Sequence, residues 1–135
     1  ALVSLHVHLV CRRLSRESAE TGGALAQTLF DTMFADIDRN LREMGVGDLA
    51  VGKKIKKLAG GHYAAAQRVE WALEDGEDAL ADTPAAIHGE DVEVASDRKA
   101  RLAAYVRAAI AGLSAQDTSD LLDGRTAFPD PAAIG

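Results

Sequence analysis

Apolar residues recur at helical spacing through most of the chain. Leu25, Leu29, Met33, Ile37, Leu41 and Met44 fall three or four apart, which lines one face of an α-helix and predicts a helix from near Gly23 or Ala24 to residue 44. Phe30 and Phe34 widen that face. Gly45 and Gly47 supply a stop and a turn, since glycine accepts the left-handed conformation that follows a helix C-cap. Asp48 offers an N-cap for the next helix. There Val51, Ile55, Leu58, His62, Ala66, Val69 and Leu73 alternate by four and three, the longest stripe in the chain and one able to organise a bundle. Gly60-Gly61 interrupts it at about 1 kcal/mol per glycine relative to alanine. A kink or a close helix crossing would account for the pair.

Residues 2–14 carry two stripes, Val3, Val7, Val10 and Leu14 on one and Leu2, Leu5 and Leu9 on the other. A helix apolar on so much of its circumference is buried on most sides. Ser15 to Gly23 reads as a polar connection. The stretch 74–95, acidic and punctuated by Pro84 and Gly89, reads as a flexible insertion. Ser96 and Asp97 start a helix with Leu102, Val106, Ala109, Ile110 and Leu113 on one face. Ser114-Ala115-Gln116-Asp117 opens a short helix to Leu122, ended by Gly124, and Pro129 and Pro131 exclude helix from Phe128 onward. No internal repeat or alternating strand pattern occurs. The expected fold is all-α, a single-domain bundle of about five helices over residues 1–135, with the helices 24–44 and 49–73 facing each other at its centre.

Composition adds little to the fold but excludes several functions. At 135 residues the chain fits one domain, and the hydrophobic fraction of 47% with aromatics at only 4% suits packed helices. Cys11 is the single cysteine, which excludes an internal disulfide or multi-cysteine metal site and fits a reducing compartment. Set among Leu9, Val10 and Leu14, it reads as a small buried hydrophobe rather than a reactive thiol. The net charge of −6 argues against a general or specific DNA binder. The charge is uneven, however. Lys53, Lys54, Lys56 and Lys57 cluster on the third helix, while residues 74–97 carry nine acids and no Lys or Arg. No apolar run reaches the ~18–20 residues of a membrane span. The apolar start precedes Arg12 and Arg13, the reverse of a secretory signal. With no initiator Met, the chain is expected to begin inside a longer protein from the soluble interior of a cell or organelle.

Candidate chemistry is sparse. Gly47 to Lys54 nearly spells a phosphate-binding loop, but Lys54 stands where Ser or Thr must bind magnesium, and the preceding segment is helical. His6 and His8 point about 200° apart on a helix, no Glu-x-x-His occurs, and His62 on an apolar stripe reads as a hydrogen-bonded core residue. No metal or other cofactor is expected. Asp31, Asp36, Asp38 and Glu43 could supply an acid–base pair, yet Asp36 and Arg39, and Asp38 and Arg42, have the spacing of surface ion pairs. The bland reading is an ion-paired, solvated face; the functional one is a partner-binding face. The lysine cluster divides the same way, between a solvated helix end and a contact for an acidic partner. Trp71 lies roughly opposite Val69 and Leu73; a covering layer such as the first helix is expected over it rather than an exposed patch.

Separated segments resemble the ubiquinol–cytochrome c chaperone family. They are Leu5-His6-Val7-His8-Leu9-Val10-Cys11-Arg12-Arg13-Leu14, the run 30–58 (Leu41 to Lys57 above all), Gly61-His62-Tyr63, Leu102-Ala103-Ala104-Tyr105-Val106 and Gly124-Arg125-Thr126-Ala127-Phe128-Pro129. The family pattern is departed from at Ala64-Ala65 and in the acidic stretch 87–94. The resemblance implies a non-enzymatic, all-helical assembly factor for the cytochrome bc1 complex (respiratory complex III) that acts on newly made cytochrome b. Its mitochondrial relatives work in the matrix near the ribosomal exit with a small partner subunit. A bacterial member would sit in the cytoplasm, peripheral to the inner membrane and not spanning it, with the ribosome as a further partner. Family members carry an additional N-terminal helical segment. The Leu25 to Met44 face, with Phe30, Met33, Phe34 and Met44, and Tyr63 beside it, then becomes the candidate for an adaptable apolar client surface, and Asp31, Asp38, Asp48 and the four lysines for polar partner contacts. The alternative is an α-helical adaptor for the ribosome or membrane surface that works through the lysine cluster alone. An open apolar groove would favour the chaperone, and a sealed, charged surface the adaptor.

Overall fold

The computed structural model describes residues 2–75 and 96–134. Its order is α1 (Leu2–Leu14), a π-helical turn (Ala19–Gly23), α2 (Ala24–Glu43), α3 (Asp48–Asp75), α4 (Ser96–Ala115), α5 (Thr118–Leu122) and a 3-10 turn (Pro131–Ala133). No strand occurs among the described residues, so the all-α expectation holds with five α-helices. α3 continues to Asp75, so the first two residues of the expected acidic insertion are helical, and the rest of that expectation lies outside the described residues.

The centre of the bundle is α1, not the α2–α3 pair. α2 and α3 do touch, but α1 packs against α2, α3 and α4 together. Leu5, Leu9 and Leu14 are almost wholly buried against Ala26, Val69, Ala72, Ala103, Val106, Ala109, Leu113 and Leu121. The reason lies in the two stripes of α1. A helix with one apolar face can cover one neighbour, whereas α1 has apolar surface for several. Its first turn departs from this, since Leu2 and Val3 stay exposed.

Several ends and turns differ from the expected ones for local reasons. α2 closes with Gly45 at φ +82, and the Gly45 and Val46 N–H groups donate to Arg42 and Leu41 carbonyls at 2.9 and 3.0 Å, the paired bonds of a Schellman cap. Gly124 closes α5 in the same way. Asp48 is the first residue of α3 rather than its N-cap; the Gly47 carbonyl takes the first bonds, and the Asp48 carboxylate instead pairs with Arg42 of α2. Ser114 lies within α4, and Asp117 precedes α5 without a side-chain capping bond. The segment 15–23 is partly π-helical, with Ser18 accepting from the Thr21 N–H. Gly22 is required there, because a Cβ would lie 2.1 Å from the Leu14 carbonyl oxygen. Pro131 does not exclude helix altogether, as it occupies the start of a 3-10 turn whose N–H it need not supply. α3 runs unbroken through Gly60-Gly61, and a Cβ at Gly60 would meet only open space, so no close crossing explains that glycine.

Arg13 ties α1 to the far end of the chain. Its side chain is only 12% exposed. Nε donates to the Leu113 carbonyl at 3.1 Å, Nη1 to Glu17 at 2.6 Å, and Nη2 to the Gln116 carbonyl and Thr118 Oγ1, each at 3.2 Å. Thr118 completes the ring by donating to Glu17 at 2.7 Å, and this bond together with Arg13 holds the Glu17 carboxyl below its usual range. The guanidinium thus satisfies carbonyls at the end of α4 that have no helical partner. Arg13→Ala should cost on the order of 3 kcal/mol, because it strands those carbonyls. Arg13→Lys should recover little, lacking the planar fork. Urea unfolding checks both; a loss below about 1 kcal/mol for Arg13→Ala would show that water replaces the guanidinium freely.

Candidate functional site

A groove of about 540 Å³ runs along the junction of the first three helices. Val3, Ser4 and Val7 enter it from α1, and Leu58 and His62 from α3. α2 contributes Leu29, Thr32, Met33, Phe34, Asp36, Ile37 and Asn40, the i, i+3, i+4 neighbours that share one side of a helix. Its walls are therefore mainly apolar, with Thr32, Asp36 and Asn40 as polar edges.

His62 closes the floor and is 7% exposed. Its Nδ1 shares a 2.7 Å hydrogen bond with Ser4 Oγ, which meets the expectation of a hydrogen-bonded core histidine. Burial lowers its pKa, so the ring is neutral near pH 7 and places no charge in the groove. Phe30 stacks behind the wall, with ring centroids 4.8 Å from Phe34, 5.2 Å from His62 and 5.8 Å from Tyr63. Such aromatic contacts fix the floor as one unit.

On the other side of His62 the His8 ring meets it edge-on at 5.9 Å. The two, with Cys11, Phe30 and Tyr63, border a smaller hollow of about 260 Å³. His8 Nε2 is buried without a hydrogen-bond partner. Glu70 Oε1 lies 4.0 Å away and is held instead by Arg12 Nε at 2.6 Å. Burial foremost, and then His62, lowers the His8 pKa to about 4 against the opposing pull of Glu70. His8 is thus uncharged near neutrality, and its approach to Glu70 is not an ion pair. Cys11 is half-buried; its thiol lies 3.4 Å from the Ala26 carbonyl and burial raises its pKa, so it packs as a thiol rather than a nucleophile. Among the described residues no cluster of three or more His, Cys, Asp or Glu is arranged to hold a metal.

The structure brings together some of the expected site residues and separates others. Met33 and Phe34 line the groove, Phe30 backs it, and Tyr63, 61% exposed, lies just beyond on the surface. Asp38 pairs with Arg42 within α2, Asp48 reaches the same Arg42 across the α2–α3 turn, and Asp36 pairs with Arg39 at 2.5 Å, which answers to the ion-paired reading of these acids. Asp31 accepts from Gln27 at 2.8 Å. Lys53, Lys54, Lys56 and Lys57 are all exposed on the first half of α3, outside the groove. Gly47 to Lys54 is the start of that helix, with α2 rather than a strand before it. Trp71 is 59% exposed, which overturns the expected covering layer: Val69 and Ala72 face α1, and Trp71 turns away. Leu29 and Ile37 belong to the expected face of α2, whereas Met44, 71% exposed, lies outside the groove; Val3, Val7 and Leu58 join from the other two helices, where their stripes mark only apolar faces. Only the meeting of three helices makes them one wall.

The sequence profile of the ubiquinol–cytochrome c chaperone family matches residues 1–128. The chain is similar to the crystal structure of the Cbp3 homolog from Brucella abortus, at 32% identity and a TM-score of 0.80, over 98% of this chain and 72% of that one. Among curated proteins none matches. No helix of the described residues is long and apolar enough to cross a membrane.

The buried histidines predict acid sensitivity. The unfolded chain protonates His8 near pH 6.5 while the folded chain resists until about pH 4. Stability therefore falls as pH drops through that window, and His62, lowered in the same direction, adds to the loss. For His8 the loss between pH 7 and pH 5 is on the order of 2 kcal/mol. His8→Gln should lose correspondingly less over the same interval in chemical denaturation. Equal losses in parent and variant would mean that His8 titrates normally in the fold.

Proposed function

Because the chain belongs to the ubiquinol–cytochrome c chaperone family, the assembly factors of respiratory complex III, we propose that it holds newly made cytochrome b in the groove between α1, α2 and α3. The observation that carries this reading is the groove itself. An open hollow of about 540 Å³ walled by Val7, Met33, Phe34, Ile37 and Leu58 offers an apolar segment a place that folding has not filled. Cytochrome b is a bundle of apolar spans, and a segment leaving the ribosome has no lipid around it until it inserts. A wall with a flexible thioether at Met33 can repack around different side chains. Neutral His62 leaves no buried charge for such a segment to desolvate. The work is binding, with no catalytic step.

The lysine cluster has a separate role in this account. Lys53, Lys54, Lys56 and Lys57 have no carboxylate partner among the described residues, and Lys54 lies one turn before Leu58 at the groove. Their charge would hold the protein to an anionic surface, ribosomal RNA being the one that suits a client still under synthesis. The place of action is the cytoplasmic side of the inner membrane, without insertion into it. The open groove favours this reading over an adaptor working through charge alone.

Leu58→Asp tests the groove without removing core, as Leu58 is already 44% exposed. The variant should melt within a few degrees of the parent while assembled bc1 complex and cytochrome b recovered with the protein both fall severalfold. Normal assembly at normal protein level would remove the groove from the account. Charge reversal at Lys53 and Lys57 should weaken ribosome association, most at low salt because the parent's attraction itself fades as salt rises, and leave the melting temperature nearly unchanged. Unaltered association would return the lysines to a solvated helix end.

A further inference from the structure

A second pocket lies on another side of α1 and has a different chemistry. Its volume is about 380 Å³, within the roughly 300–1,000 Å³ of small-molecule sites. Leu2 and Leu102 supply apolar wall from α1 and α4, and Pro131 and Ile134 from the 3-10 turn and its end. Arg98 and Arg101 stand on its rim, three residues apart on the first turns of α4 and so side by side. Both are exposed, and neither has an ion-pair partner among the described residues.

The polar groups inside the pocket are already used. His6 Nδ1 donates to the Leu2 carbonyl at 2.7 Å, and Nε2 shares a 2.7 Å hydrogen bond with the Tyr105 hydroxyl. The nearest carboxylate in sequence to the turn, Asp130, accepts from the Ala132 N–H at 2.9 Å. Whatever enters therefore finds mainly hydrocarbon walls, a His6–Tyr105 pair already bonded to each other, and the two guanidiniums. A peptide would leave amides unpaired there. A hydrocarbon chain would not, and an anionic head at its end would meet Arg98 and Arg101, whose planar forks suit carboxylate and phosphate.

We propose that the pocket formed by Leu2, Leu102, Pro131 and Ile134 binds an anionic amphiphile, its acyl chain among these side chains and its carboxylate or phosphate head on Arg98 and Arg101. Two sources share this chemistry, a free fatty acid and an anionic lipid of a bilayer. The site is independent of the client groove and gives the protein a lipid-facing end distinct from its lysine cluster.

Decanoate, decanol and inorganic phosphate are the probes, added to the folded protein below micelle-forming concentrations. Decanoate should bind measurably by calorimetry and shift the methyl resonances of Leu102 and Ile134; decanol and phosphate should each bind far more weakly. Arg98→Gln and Arg101→Gln should each weaken decanoate roughly fivefold, and together about thirtyfold, with unchanged melting. Cosedimentation with vesicles of phosphatidylcholine alone, or mixed with phosphatidylglycerol, identifies the source. Arginine-dependent binding to the mixed vesicles assigns a bilayer lipid, and decanoate binding without it assigns a free acid. Decanol binding as tightly as decanoate, arginine variants binding like the parent, or shifts confined to other methyl groups would overturn the site.

Discussion

The bundle depends on the burial of α1. Leu5, Leu9 and Leu14 are each almost fully removed from water, and a fully buried leucine contributes about 1.5–3 kcal/mol. The exposed ion pairs of α2 and the α2–α3 turn are screened by water and contribute little. The hydrophobic term therefore decides where α1 lies, and the ion pairs adjust the turn around it. Arg13 adds direction to that burial. Its fork on the end of α4 allows one register of α1 against α4, where leucines alone would tolerate several.

With α1 as the hub, each functional feature follows from a face that α1 does not seal. Between α1, α2 and α3 the side chains leave the long groove over His62. Between α1, α4 and the C-terminal turn they leave the pocket rimmed by Arg98 and Arg101. Both hollows have an α1 histidine or its partner in the wall, and in each the imidazole is hydrogen-bonded within the fold, His62 to Ser4 and His6 to Tyr105. These bonded side chains help shape recesses whose charged groups, Asp36 in one and Arg98 and Arg101 in the other, lie among otherwise mainly apolar walls. The four lysines stand outside both, on exposed helix surface.

The helices were legible in the sequence because their signals are local. Stripes at three and four, Gly45 and Gly124 at φ > 0, and polar residues before α4 each act within a turn or two. The ion pairs of Asp36 and Asp38 were legible for the same reason. What could not be read was the choice of neighbour. Two stripes on α1 announce burial, but nothing in them names α4 as a partner, so the longer α2–α3 pattern drew the centre to itself. Ser4 bonds a residue 58 positions away, and His6 one 99 away. Such contacts leave no trace in spacing. Trp71 went wrong in the opposite sense, because hydrophobicity implied a cover that the surrounding helices do not supply. The groove was half legible: Met33, Phe34 and Ile37 lie on the expected face of α2, while Val7 and Leu58 join them only through tertiary packing.

The family relation and the groove meet in one claim, that α3 faces its client with Leu58 and not with Trp71, which lies roughly opposite around the helix. A photo-crosslinking amino acid placed at residue 58, and separately at residue 71, measures this during cytochrome b synthesis. The account predicts adducts with cytochrome b from position 58 and few from position 71. Efficient adducts from position 71 with none from position 58 would contradict it, and would move the client to the outer face of α3.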